Sequence, residues 1–167
     1  MKKSYINWKI GLILILIFFN TNMVSGEDSA TQDISITVEP INEISVSSGT
    51  VDMVINAANA GVVAGDNLYS VSDSSTTLSY STNESGKKIS AELDSKFDDV
   101  MLEVELTSTS GSSEGKVGLT INPVDVITGI GNTSDKDEII TYTASAVSNT
   151  PPTSGEVNTV TFTLTDS

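Results

Sequence analysis

Past its first 26 residues the chain has no cysteine, no histidine, no arginine and no tryptophan. Each absence removes a class of chemistry. Without cysteine there is no thiol nucleophile and no disulfide. Without histidine there is no Ser-His-Asp triad, and the usual zinc ligands are missing. Without arginine there is no bidentate clamp on phosphate. Basic residues are scarce altogether: eight lysines stand against 22 acids in 167 residues, a formal net charge of −14. Residues 1–26 hold three of those lysines and no acid, so residues 27–167 carry five lysines against 22 acids, or −17. Such a chain is ill suited to neutralise a nucleic-acid backbone, and anionic lipid repels it. Aromatics are also few, with only Tyr69, Tyr80, Phe97, Tyr142 and Phe162 beyond residue 26. A glycosidase needs two acids across a cleft that usually has aromatic walls, and this composition gives little to build one. The expectation is a protein that is not an enzyme and needs no cofactor.

What is present begins with a leader. Met1-Lys2-Lys3, with Lys9 behind, precedes an apolar run over 10–19, and Val24-Ser25-Gly26 ends the segment in small residues. That order is a secretory signal peptide, with cleavage expected after Gly26. The apolar run is about half the ~20 residues that a spanning helix needs. No cysteine follows it to carry a lipid. Residues 27–167 are therefore expected as one exported domain, secreted or at the cell surface, without stable membrane insertion. Within it, 27–33 (EDSATQD) is expected to be flexible.

Ser and Thr make up 42 of residues 27–167. A disordered, mucin-like stalk would have that richness. Position argues otherwise, because the hydroxyl residues alternate with branched apolar ones, the mark of strands with one buried face. Nine such runs are expected as strands: 34–38, 44–46, 51–55, 78–81, 89–93, 102–106, 117–121, 140–146 and 160–164. Asn83-Glu84-Ser85-Gly86 reads as the tip of a hairpin between the fourth and fifth. Residues 108–115 and 149–156 read as further links. Residues 57–66 read as a loop or one helical turn, and 94–100 and 124–130 leave room for one turn each. Strands without crossover helices imply an antiparallel β-sandwich with a light aliphatic core.

Five stretches carry a likeness. Residues 78–93 (LSYSTNESGKKISAEL), 101–107 (MLEVELT), 116–132 (KVGLTINPVDVITGIGN), 139–146 (IITYTASA) and 159–165 (TVTFTLT) resemble secreted β-sandwich proteins related to the spore coat protein U domain. That group in turn resembles the pilin subunits of chaperone–usher fibres. The resemblance covers about residues 68–167 and implies an immunoglobulin-like, pilin-like sandwich that assembles into surface fibres or coats. The chain differs from many such subunits in having no cysteine pair.

The candidate assembly residues follow from this. Ile34, Ile36 and Val38 would be the donating face of a strand that completes a neighbour's sheet, and Val160, Phe162 and Leu164 would line the terminal strand beside the receiving groove. The partners would be further copies or related subunits. The other reading makes 34–38 an ordinary first strand of its own sandwich, closed at Pro40. The second function class is a monomeric adhesion or ligand-binding module using 108–115 or 149–156. Two acidic clusters, Asp98-Asp99 with Glu103 and Glu105, and Asp135, Asp137 and Glu138, offer oxygen ligands to Ca²⁺. Neither matches the twelve-residue calcium loop, and solvated charge is the favoured reading. Asn83 and Asn132 each begin an Asn-x-Ser sequon in an expected loop. Tyr80 and Tyr142 share phase with apolar neighbours and are expected in the core.

Overall fold

The computed structural model describes residues 29–47 and 49–167. The expected signal peptide, residues 1–26, lies outside the described residues. The chain divides into two units, Met1–Thr37 and Val38–Ser167. In the first, residues 29–37 form neither helix nor strand and are exposed throughout.

The second unit is all-β, with no helix among the described residues. Its strands are β1 (Asn42–Val46), β2 (Leu68–Thr82), β3 (Lys87–Leu93), β4 (Val100–Leu106), β5 (Ser112–Ser113), β6 (Val117–Gly118), β7 (Val124–Ile130), β8 (Thr133–Val147) and β9 (Val160–Asp166). They form a five-stranded sheet in the order β1-β2-β8-β4-β6 and a four-stranded sheet in the order β5-β7-β3-β9. All pairings are antiparallel. From β2 onward, each successive strand lies in the opposite sheet. The inner faces meet in one cluster that includes Leu78 and Tyr80 of β2, Ile89 of β3, Val104 and Leu106 of β4, Ile127 of β7 and Ile140 of β8. Period-two alternation produces this directly: β2 alternates buried and half-buried residues from Thr76 to Thr82, because successive side chains point to opposite faces.

Several expectations need correction. The link at 83–86 is not a hairpin tip, for β2 and β3 belong to different sheets and do not pair. It carries the chain across the core, as do 131–132 and 148–159. Turn residues bend a chain equally well for lateral pairing and for crossing, so the bend was legible and the partner was not. Residues 34–38 form no strand. Residues 51–55 have no ladder partner either, although Val51, Met53 and Ile55 pack against the core at alternate positions. The run 117–121 shortens to β6 because it changes sheets. The Leu119 amide donates to the carbonyl of Leu102 at 2.8 Å, whereas the Thr120 carbonyl accepts from Leu93 in the other sheet at 2.8 Å. Residues 124–130 are strand rather than helical turn, with Val126, Ile127 and Ile130 wholly buried; β-branched side chains favour the pleated form.

Candidate functional site

One flank of the sandwich is bounded by an edge strand from each sheet, β1 and β9, which approach one another. β9 pairs with β3 along its whole length, from Leu93↔Val160 to Lys87↔Asp166. Its other edge has no strand partner among the described residues. Val160, Phe162 and Leu164 face the core but remain only half-buried, while Thr161, Thr163 and Thr165 are exposed. Across the flank, Ile44 of β1 is also half-buried. Inward-facing apolar side chains that stop short of full burial, beside a row of unpaired main-chain groups, make a site able to take another strand.

At one end this flank is closed by polar side chains. The Thr82 hydroxyl donates to Asn42 Oδ1 at 2.7 Å, and Asn42 Nδ2 donates to Glu84 Oε2 at 2.7 Å. Glu84 pairs with Lys87 at 2.9 Å, and Lys87 Nζ also pairs with Asp166 at the end of β9. The chain of contacts thus runs from the start of β1 to the end of β9. Hydrogen bonds from Asn42 and then Lys87 hold the Glu84 carboxyl below its ordinary pKa. Asp166 and then Glu84 hold the Lys87 ammonium above its ordinary value. None of this was visible in the sequence, although Lys87 sits at an apolar-phase position of its strand and is 7% exposed.

The proposed donor residues are uncovered. Ile34, Ile36 and Val38 are 78%, 83% and 74% exposed, an unusual state for three apolar side chains in one strand phase. Reading 34–38 as an ordinary first strand therefore does not describe this structure.

The second acidic cluster is not a solvated face. Asp135 and Glu138 are buried; Glu138 takes its donors from the segment after β4, and Asp135 takes its donors from that segment and from β2 and β8. Asp135 accepts from the Tyr80 hydroxyl at 2.7 Å, from the Ser110 amide at 2.9 Å and from the Thr133 hydroxyl at 3.1 Å. Glu138 accepts from the Thr107 and Thr109 hydroxyls, each at 2.6 Å, and from the Thr109 amide at 2.9 Å. Burial works to raise the Asp135 pKa, but the bonds from Ser110, Tyr80 and Thr133 together hold it below the ordinary value. Burial also pushes Tyr80 well above an ordinary phenol and Tyr142 up to about 12. Asp137 is exposed, with a left-handed φ of 59°. Its neighbours bind the segment at 107–110 to the sheet, so this cluster is a strap. Among the described residues no three carboxylates are grouped to hold a metal ion.

A shallow depression of about 420 Å³ lies elsewhere, with Leu68, Phe97, Met101 and Val147 among its walls and Asp99 as its carboxylate. Compared with family models, curated proteins and solved structures, the chain matches none.

Proposed function

We propose that the chain is a non-catalytic, exported structural subunit that assembles through β-strand complementation into a pilus-like fibre or coat. The observation that carries this reading is a complementary pair. Three apolar residues in one strand phase stand exposed at Ile34, Ile36 and Val38, and a free strand edge presents Val160, Phe162 and Leu164 at the same two-residue spacing. Added as a strand, 34–38 of one copy would satisfy main-chain groups along β9 of the next and finish burying both apolar sets. Full burial of each branched side chain stabilises by about 1.5–3 kcal/mol, against which the ordering of the segment must be set. The sandwich is then read as immunoglobulin-like and pilin-like, as the resemblance over 68–167 implies. The acidic, Thr-rich outer faces would keep unassembled subunits soluble.

Deletion of residues 27–39 tests the reading. Size-exclusion chromatography and negative-stain microscopy should show ladders or fibres for the intact protein and monomers for the deletion. Unchanged assembly after deletion would refute it. A clean monomer from the intact protein under all conditions would favour the second reading, a binding module using 108–115 or 149–156, to which the depression beside Leu68 and Met101 adds a further surface.

A further inference from the structure

Among the described residues, those that leave β1 toward the N-terminus are held by one residue, through its main-chain amide and its side chain. The Asn83 amide donates to the Ile41 carbonyl at 3.2 Å. Its Oδ1 accepts from the Ile41 amide at 2.8 Å, and its Nδ2 donates to the Glu39 carbonyl at 2.9 Å. The β1–β2 ladder ends at Asn42↔Thr82. Asn83 extends it, its carboxamide standing in for a further peptide unit. The pattern skips Pro40, which has no amide hydrogen to give. Residues 39–41 are thus tied in line with β1, and the tie ends one residue from the exposed Val38.

Resting on the strand-complementation reading, we infer that Asn83 is a positioning residue that commits 34–38 to a second copy of the chain instead of its own domain. A tethered segment competes for its own groove at an effective concentration of about millimolar. Without some device, self-insertion would therefore win at ordinary protein concentrations. Self-insertion requires the chain to reverse, and a β-turn takes four residues. The sequence holds a suitable one: Glu39-Pro40-Ile41-Asn42 has proline at the second position, where types I and II favour it. A turn there would return all of Ile34, Ile36 and Val38 to the domain. It would also break every bond that Asn83 makes to Glu39 and Ile41. While those bonds hold, the reversal must use residues 36–39 or earlier ones. That consumes Ile36 and Val38 in the turn and leaves Ile34 alone as donor. A second copy imposes no reversal, so all three side chains remain available to it. The same bonds occupy the Nδ2 that a glycan on the Asn83 sequon would need.

The test compares the purified protein with its Asn83→Ala variant. Two measurements are made: amide hydrogen exchange at Ile41 and assembly by size-exclusion chromatography. A peptide spanning residues 29–39 is also added to the full chain carrying Ile34→Asp and Ile36→Asp, whose own donor is disabled. The expected result has three parts. Ile41 exchanges at least tenfold faster in Asn83→Ala, that variant gives mainly monomer, and the peptide binds the donor-disabled chain. If the peptide binds and Ile41 exchanges faster but Asn83→Ala assembles as before, the inference is overturned and strand complementation stands. Unchanged exchange at Ile41 overturns it as well. If the peptide does not bind, the complementation reading itself fails and the inference goes with it. Should Asn83→Ala fold poorly, Asn83→Asp keeps the acceptor for Ile41 and loses the donor to Glu39. It should then give a monomer fraction above that of the unaltered chain, and an unchanged fraction counts against the inference.

Discussion

The Tyr80 hydroxyl on β2 donates a hydrogen bond to the Asp135 carboxylate on β8 across 2.7 Å, at the point where the pairing of these two strands shifts register between Leu78 and Tyr80. The bond joins the core to the segment at 107–110, because the same carboxylate accepts the Ser110 amide. Replacing Asp135 by Ala would leave the tyrosine hydroxyl and the serine amide without this partner. Loss of a buried acceptor of this kind costs about 1–3 kcal/mol. Tyr80→Phe removes only one donor and should cost about 1 kcal/mol. Urea unfolding of the two variants should rank them in that order.

The same carboxylate predicts an acid dependence. Its pKa is lowered in the folded state, so the unfolded chain takes up its proton first as pH falls. Asp135 therefore stabilises above its unfolded pKa, near 3.8, and that contribution disappears as pH drops through the lower folded value. Thermal melts between pH 6 and pH 3 should show the wild type losing stability more steeply than Asp135→Asn. Equal slopes would mean that Asp135 does not carry the effect.

Lys87 holds the last turn of contacts between β3 and β9. Lys87→Met would free Asp166 and Glu84 from their shared cation. Hydrogen exchange should then quicken at Thr165 and Asp166, with little change at Leu78 or Ile140 in the buried core. High salt should narrow the difference, since the Asp166 side is open to solvent and screened.

The chain has no cysteine, so an introduced pair reports without a background. Every strand pair in the sandwich is antiparallel, and an antiparallel donor would set Ile34 opposite Leu164, Ile36 opposite Phe162 and Val38 opposite Val160. Thr37 then lies opposite Thr161. Directly opposed antiparallel residues are near enough for a disulfide. The Thr37→Cys/Thr161→Cys protein should give a ladder on a non-reducing gel, and Thr37→Cys/Thr163→Cys should give much less. The reverse preference would make the donor parallel.

Gly111 passes close to β7. A side-chain carbon there would sit 2.5 Å from Ile127 Cγ2 and 3.0 Å from the Thr128 carbonyl oxygen. Since Ile127 is fully buried, it has little room to retreat. Gly111→Ala should destabilise by about 1–3 kcal/mol, read from the shift in the urea midpoint. Gly118, with open space beside its backbone, should accept alanine at far smaller cost.

What could be read along the chain was whatever depends on near neighbours. Alternation at 78–81, 89–93, 102–106 and 140–146 marked strands that β2, β3, β4 and β8 contain, because a period of two arises from the pleat of one strand alone. Tyr80 and Tyr142 were legible as core residues for the same reason. The alternation at 34–38 is just as regular, yet no strand forms there. A pattern records fitness for a sheet face, whereas a strand also needs a neighbouring edge, and edges come from elsewhere in the chain. Asp135 and Glu138 looked like surface charge because all but one of the residues that donate to them lie 25 to 55 positions away. Asn83 looked like a turn residue, and its bonds reach back 42 and 44 positions to Ile41 and Glu39. Composition and local period thus determined an all-β, acidic, thiol-free chain. Tertiary structure decided which strands share a sheet, which carboxylates are buried and which edge stays open, since each depends on groups brought together only by folding.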